Sequence, residues 1–325
     1  MKNILITGVA GMVGSHLLDY ILSKNKYNII GIDNLSFGSL DNIKSNLENK
    51  NFLFHNADIL DLNNLRKISD GVDIIIHLAA VKKIGEEQPG IPTLVTNVDG
   101  TSNVLKIAKS IGAKVVYAST SDVYGMSNDL PFREDGDLLI GPSMIKRWAY
   151  AVSKLYGEQL AYAYFKDENV PVIILRYFGG FSARSSFLWS GGHIPIFIKA
   201  ILENKPVVIH GDGSQTRSMA YITDIVNGTF LAIENQKAVG ETINIGNDDE
   251  MSVLEAAKLI HQLANTGNEL KIEYVPFSKI FGDYKDIQRR KPDLTKARNI
   301  LGYEPKIKMK EAASFVIEEI KKSFR

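Results

Sequence analysis

The stretch Thr7-Gly8-Val9-Ala10-Gly11-Met12-Val13-Gly14 constrains this chain more than any other. It follows an apolar strand-like run, Asn3–Thr7, and opens a helical one, Val13–Lys24. Three glycines between a strand and a helix permit a tight turn and close approach of backbone to a ligand. The helix N-terminus then offers free N–H groups and a partial positive charge to a diphosphate. The spacing is Gly-x-x-Gly-x-x-Gly, not Gly-x-Gly-x-x-Gly. A plain strand–helix turn also uses glycine, so the triplet leaves both readings open.

The turn starts a series. Ile29–Ile32, Phe52–Asn56, Ile74–His77, Lys114–Ala118 and Val172–Arg176 are further short apolar runs, and Leu62–Ile68, Val95–Ile111 and Trp148–Asp167 read as helices between them. Strands separated by helices imply the α/β class, here a Rossmann-type doubly wound parallel sheet. Strands covered on both faces read as unbroken apolar runs, as these do. After Arg176 the pattern loosens. Phe178–His193 is rich in Gly, Ser and aromatics and reads as loop. Ile194–Leu202, Met251–Leu263 and Ala312–Lys322 read as helices, and Thr242–Gly246 as a strand. The 325 residues suggest two units at about 150 residues per domain. Residues 1–176 would bind a dinucleotide. Residues 177–325 would form a smaller α/β substrate-binding lobe, with some segments returning to the first unit.

Composition narrows the chemistry. There is no cysteine, so disulfides, thiolate metal sites and a Cys nucleophile are excluded, and no metal is expected. No run approaches the roughly 18 apolar residues of a membrane span. The N-terminus enters a strand directly, without the pattern of a signal peptide, so a cytoplasmic protein is expected. Formal net charge is +1, with both signs spread along the chain, which suggests neither nucleic acid nor membrane as a partner.

Asp33 sharpens the dinucleotide reading. It ends the second strand, about 20 residues after the last glycine, where a carboxylate accepts from the adenosine ribose hydroxyls. A 2′-phosphate would meet that charge with no adjacent Arg to pair it, which favours NAD over NADP. Asn34 and Ser36 also suit a turn, so Asp33 could instead be a turn residue.

Tyr150-Ala151-Val152-Ser153-Lys154 lies in a helical stretch, and residues four apart share a helix face. A phenol of pKa about 10 is a poor base at neutral pH. A nearby ammonium would stabilise the phenolate, and the same Lys154 could hold the nicotinamide ribose. The fifth strand ends in Ala118-Ser119-Thr120-Ser121-Asp122-Val123-Tyr124-Gly125, at the edge where such sheets place ligands. Thr120 could share the reacting oxygen with Tyr150. The same hydroxyls could equally serve a local turn.

Thr7–Gly14, Asp33-Asn34, Asp58-Ile59, His77-Leu78-Ala79-Ala80, Asn97, Thr120–Gly125 and Tyr150–Lys154 together resemble the extended short-chain dehydrogenase/reductases that act on nucleotide sugars. The resemblance continues through Arg176-Tyr177-Phe178, Gly211–Arg217 and Arg290-Lys291-Pro292-Asp293. Gly125-Met126, Gly141-Pro142 and Arg147-Trp148 look most like the UDP-glucuronate decarboxylase branch. The resemblance implies NAD, a nucleotide-diphosphate sugar substrate and oxidation at sugar C4 by Thr120, Tyr150 and Lys154. It places the cofactor on the turn residues Gly8, Gly11, Met12 and Val13, and on Asp33, Asn34, Ser36 and Gly38. Asp58 and Ile59 would flank the adenine, and Leu78, Ala79, Ala80, Ser119 and Tyr177 would line the site. Lys82 and Asn97 would contact cofactor ribose or diphosphate. Arg217, Arg290 and Asp293 would hold the substrate nucleotide, as guanidinium suits phosphate. Val95–Ile111 and Trp148–Asp167 resemble the helix pair of a four-helix homodimer interface.

Two departures bear on the fate of the oxidised sugar. A 4,6-dehydratase has Asp then Glu after its Thr; here stand Ser121 and Asp122. The decarboxylases have Thr-Ser-Glu and an Arg before Lys-Pro; Ser121 and Arg290 match, and Asp122 is one methylene short. After Arg-Tyr-Phe the family continues Asn-x-x-Gly-Pro-Arg, whereas this chain reads Gly179-Gly180-Phe181-Ser182-Ala183-Arg184. The loop Ser185–His193 then adds aromatics and a His. Lys82, Asp122, Gly179, Arg184 and His193 are thus the further candidate sugar contacts. Altered auxiliary acids favour a 4-epimerase or a C4 dehydrogenase, which need only Thr120, Tyr150, Lys154 and NAD. A glucuronate decarboxylase is the alternative, and a dinucleotide-sensing regulator is the non-enzyme one.

Overall fold

The computed structural model describes residues 1–82, 90–187, 192–281 and 286–323. Its first half runs β1 (Lys2–Thr7), α1 (Met12–Ser23), β2 (Tyr27–Asp33), β3 (Phe52–Asn56), α2 (Leu62–Ile68), β4 (Ile74–His77), α3 (Gly90–Ile111), β5 (Lys114–Thr120), α4 (Trp148–Glu168) and β6 (Val172–Tyr177). The second half continues β7 (Gly180–Phe181), α5 (His193–Leu202), β8 (Val207–His210), β9 (Thr216–Ser218), β10 (Ala220–Tyr221), α6 (Ile222–Glu234), β11 (Thr242–Ile245), β12 (Glu250–Ser252) and α7 (Val253–Ala264). It closes with β13 (Ile272–Val275), α8 (Phe277–Phe281), β14 (Arg289–Arg290), α9 (Thr295–Leu301) and α10 (Met309–Ser323).

Seven strands form one parallel sheet in the order β11-β6-β5-β4-β1-β2-β3. Alternate residues of each inner strand enter opposite cores. Ile4, Ile6, Ile74, Ile76, Val116, Ile173 and Leu175 pack with α1, α6 and α9. Leu5, Ile75, Val115, Tyr117, Val172 and Ile174 pack with α2, α3 and α4. This is why these strands are apolar at consecutive positions. The chain steps outward from β1 to β3 and returns to β4 beside β1, which opens a crevice at their C-terminal ends.

The second lobe has its own core, with Phe197 and Ile198 of α5, Val207 and Ile209 of β8, Ile260 of α7 and Val316 of α10. Three of its elements, β11, α6 and α9, return to the first layer. β11 extends the sheet beside β6, and α6 lies along α1. Tyr177, expected to open the second unit, ends β6.

Some boundaries differ from those expected. The helix expected from Met251 begins at Val253, because Ser252 and Glu255 form a reciprocal capping box. Glu250–Ser252 pairs antiparallel with β9 instead. Within the expected loop Phe178–His193, Gly180 and Phe181 pair with Ala220 and Tyr221. Leu188, Trp189, Ser190 and Gly191 of that loop lie outside the described residues. α3 starts at Gly90 rather than Val95; Pro92 is tolerated in a first turn, where its missing N–H has no helical partner. Among the described residues no helix is long and apolar enough to cross a membrane.

Candidate active site

A cleft of about 760 Å³ runs across the C-terminal ends of β1, β2, β4, β5 and β6 and under the second lobe. Its floor is the glycine turn. Gly8 sits at φ +73°, and a Cβ there would lie 2.8 Å from the Ala79 nitrogen. A Cβ on Gly14 would lie 2.2 Å from the Gly8 carbonyl oxygen, so the helix rests directly on the turn. Gly11 caps α1 with no side-chain bond, and Gly8, Gly11, Met12 and Val13 line the cleft. Their environment suits a diphosphate.

Asp33 stands at the rim, with Asn34, Ser36 and Gly38. Its Oδ2 accepts the Ala10 N–H at 3.0 Å and its Oδ1 the Leu35 N–H at 2.9 Å. It therefore builds the turn while keeping lone pairs toward the cleft; the two readings of Asp33 are compatible. Burial raises its pKa against the pull of those two donors. Asn34 donates to Asp58 at 2.9 Å and accepts from Ser36. Asp58, Ile59, Leu78, Ala79, Ala80, Lys82 and Ser119 line the same side. Glycine turn, rim carboxylate and apolar wall fit a dinucleotide, and among the described residues no Arg bonds Asp33.

Asn97 departs from its expected role. It does not line the cleft. Its amide pairs with both backbone groups of Val81, at 2.8 and 3.1 Å, and donates to Ser153 Oγ at 2.9 Å. Ser153 in turn donates to the Tyr150 carbonyl at 2.8 Å. Asn97 thus shapes the wall from behind.

Tyr150 lies on the first turns of α4, in the cleft and 8% exposed. Burial raises its phenol pKa and the Asp122 carboxylate adds to that, while a hydrogen bond with Thr120 and the Arg147 charge pull it down. Lys154 differs from expectation. It is buried just behind the cleft wall, donating to the Ala118 carbonyl at 2.7 Å and lying 4.9 Å over the Tyr117 ring. Burial brings its pKa down to about 7, against the pull of Glu158. The Lys154 ammonium bonds the Ala118 carbonyl rather than the phenol, and the groups that oppose the rise of the phenol are Thr120 and Arg147.

Asp122 is the electrostatic centre of the cleft beside Thr120 and Tyr150. Arg290 donates to its Oδ1 at 2.7 Å and Arg147 to the same oxygen at 3.1 Å. Burial would raise its pKa, but Arg290, Arg147 and Lys82 together hold it well below the carboxylate range. Its Oδ2 lies 3.4 Å from the Thr120 hydroxyl. Lys82 itself is lowered, by burial first and with Asp122 opposing. Arg147 was not among the expected contacts. Its place three residues before Tyr150, one helical turn away, was the available signal.

The second lobe closes the cleft with Gly179, Arg184, His193 and Arg217. Gly179 has φ +51°, and a Cβ there would lie 2.6 Å from the Ser218 carbonyl oxygen. Arg184 pairs with Asp19 of α1 at 2.8 Å, away from the Asp122 cluster. Arg217 pairs with Asp286 at 2.6 Å and donates to the Thr216 and Ile287 carbonyls. His193 starts α5; burial and then Arg217 bring its pKa down to about 3, so it is neutral at pH 7. Tyr177 reaches the cleft while bonding Thr229. Asp293 does not line the cleft: its carboxylate accepts the Thr295 N–H at 2.8 Å at the start of α9. His210, Phe277 and Asp286 also line this end, unforeseen because they come from three separate segments.

A phenol, a hydroxyl and a dinucleotide platform can move a proton and a hydride at one carbon. Comparison with known proteins agrees. The family model described as NAD dependent epimerase/dehydratase family matches residues 4–246. The chain is 36% identical over 322 residues to a UDP-N-acetyl-alpha-D-glucosaminuronate decarboxylase of Bacillus cytotoxicus, covering 98% of this chain and 97% of that protein. It is 35% identical over 325 residues to UDP-glucuronic acid decarboxylase 1 of Xenopus tropicalis, covering 99% and 72%. Its fold is similar to the UDP-glucuronic acid 4-epimerase of Bacillus cereus, solved with UDP-glucuronic acid and NAD, at TM-score 0.89 and 30% identity over 99% of this chain and 100% of that one.

Proposed function

The chain belongs to the NAD-dependent epimerase/dehydratase family of nucleotide-sugar enzymes, and on that premise we propose that it oxidises C4 of a nucleoside-diphosphate hexuronate and releases the sugar carboxylate as carbon dioxide. The observation that carries this reading is the gathering of Lys82, Arg147 and Arg290 around the single carboxylate of Asp122, beside Thr120. Among the described residues these cationic side chains come together beside Thr120, and guanidinium suits the carboxylate of a sugar as it suits that of Asp122. The similarity to two glucuronate-type decarboxylases supports it.

Bound NAD⁺ supplies the hydride acceptor and later returns the hydride. Thr120 and Tyr150 hold the C4 oxygen, and Tyr150 takes its proton as the C4–H bond breaks. The carboxylate then lies β to a ketone. Its C5–C6 bond breaks toward the C4 oxygen, and the phenol that holds that oxygen stabilises the charge. No further acid is needed for carbon dioxide to leave. A proton from water then adds at C5; hydride returns to C4 as Tyr150 gives its proton back to the C4 oxygen, and the product is a pentose.

The sequence alone favours a 4-epimerase or C4 dehydrogenase. Epimerisation of the same hexuronate remains the second reading, because Asp122 is bound by two arginines and matches no free acid, and because the fold is similar to a glucuronate 4-epimerase. Dehydration needs a proton donor at this place, and a carboxylate held below its ordinary range is not one at neutral pH. The test incubates the protein with NAD⁺ and UDP-glucuronate or UDP-N-acetylglucosaminuronate, following released carbon dioxide and the anomeric proton NMR signals. Carbon dioxide with a nucleotide pentose supports decarboxylation. Inverted C4 without carbon dioxide selects the epimerase, and failure to bind either uronate ends the hexuronate reading.

A homodimer is part of this proposal. Leu94 and Val95 on α3 and Val152 and Tyr156 on α4 are exposed on the contacting pair of helices. An apolar stripe on two adjacent helices suits the same stripe on a second copy.

A further inference from the structure

Behind the catalytic residues lies a charged group that the reaction does not use. Glu158 follows Lys154 by one turn of α4 and is 5% exposed. Arg176 of β6 grips it with two bonds, Nε to Oε1 at 3.0 Å and Nη2 to Oε2 at 2.7 Å. Ser119 of β5 donates to it as well. Ser119 follows Ala118, whose carbonyl takes the Lys154 ammonium, and precedes Thr120. Consecutive β5 residues therefore hold Glu158, Lys154 and the substrate oxygen. A Cβ on Gly157 would lie 2.1 Å from the Tyr117 hydroxyl, so α4 sits hard against the strand at this turn.

We propose that Glu158 is a positioning residue: clamped by Arg176 and Ser119, it fixes α4 against the end of β5 and supplies the counter-charge for the Lys154 ammonium. An isolated buried ammonium is costly, and a carboxylate one turn away offsets that cost. The other titratable or charged groups near Lys154 are Tyr150, Tyr117 on β5, His77 on β4 and Arg176. His77 is brought down to about 3 by burial and by Lys154, so it carries no charge at pH 7. Tyr117 is raised well above its ordinary value by burial and then Glu158, so it stays neutral. Arg176 is engaged with Glu158. Glu158 is then the one anion that the surrounding elements bring to Lys154 among the described residues. The proposal rests on Lys154 serving Tyr150 through its charge, from behind the cleft wall, rather than through a direct bond.

Lys154 is charged below about pH 7 and neutral above it. Removing Glu158 lowers that midpoint, so charge and activity are lost at lower pH. The experiment titrates Lys154 by ¹³Cε-lysine NMR without substrate or cofactor, and measures the alkaline limb of kcat in the complete enzyme. In Glu158→Gln both midpoints should move down by roughly one unit or more, and Glu158→Asp should restore most of the shift. Because Glu158→Gln leaves a buried guanidinium unpaired, E158Q/R176Q is titrated against R176Q, and a downward shift between those two isolates the carboxylate's own share. A Lys154 midpoint in the folded double variant equal to that of R176Q overturns the proposal. The NMR reading needs no turnover, so it stands apart from the fate of the hexuronate reading.

Discussion

The two ends of the cleft each hold a buried aspartate, and they treat it in opposite ways. Asp33, on the cofactor side, is met by two backbone N–H groups, and burial raises its pKa. Asp122, on the sugar side, is met by two arginines with Lys82 nearby, and its pKa falls. Under the proposed function, the difference reflects what each end would recognise. Hydroxyl groups need an acceptor, which neutral surroundings provide. An anion needs cations, and those must be gathered from several segments and kept from repelling one another. Asp122 serves that second purpose: it neutralises part of a cationic cluster that would otherwise be expensive to bury.

Four experiments test this contrast. The largest effect is expected at the seam between the two ends. Tyr150→Phe should lower turnover by about 10³-fold yet bind NAD as the parent does, by stopped-flow turnover and calorimetry. Near-normal turnover would remove Tyr150 from the chemistry. Next, Arg290→Met should reduce kcat/KM for the hexuronate by roughly 100-fold, the scale of a lost charged hydrogen bond, with NAD affinity unchanged. A matching loss for an uncarboxylated nucleotide hexose would show that Arg290 does not read the carboxylate. Asp33→Asn should do the reverse, weakening NAD about 10-fold while the hexuronate KM holds. Equal effects on both ligands would mean that the two ends are one unit.

The smallest effect is in pH. Asp33 has a raised folded pKa, so it takes up its proton early as pH falls and loses acceptor strength. Asp122 has a depressed folded pKa, so the stability it contributes is present above the unfolded value of about 4 and lost only as pH falls through a much lower one. As pH falls from neutral toward the ordinary carboxylate range, NAD affinity should therefore weaken first, while the Asp122 cluster stays ionised. Fluorescence titration of NAD and chemical-shift titration of Asp122 would check this, and protonation of Asp122 in that range would reverse the assignment.

Legibility in the sequence tracked locality. The glycine turn, Asp33, and the Tyr150–Lys154 spacing each lie within one strand or helix and its adjoining turn, where backbone geometry fixes which residues face the ligand. Thr120 was legible for the same reason, as the last residue of β5. Asn97 and Asp293 misled because each sits at a familiar position while its side chain turns to a backbone partner. The side chain's choice of rotamer and partner is not contained in spacing. Glu158 lay in plain view, four residues after Lys154, but its meaning depended on Arg176 of a strand 18 residues further on.

By itself, the sequence determined the parallel sheet, the glycine turn and the Tyr150–Lys154 helix, because periodicity and backbone freedom are properties of contiguous residues. The tertiary structure alone decided that Lys82, Arg147 and Arg290 meet at Asp122, and that Lys154 turns to Ala118 rather than to the phenol. Charges carried by distant segments of the chain interact only after it has folded. Their burial then decides how strongly they do.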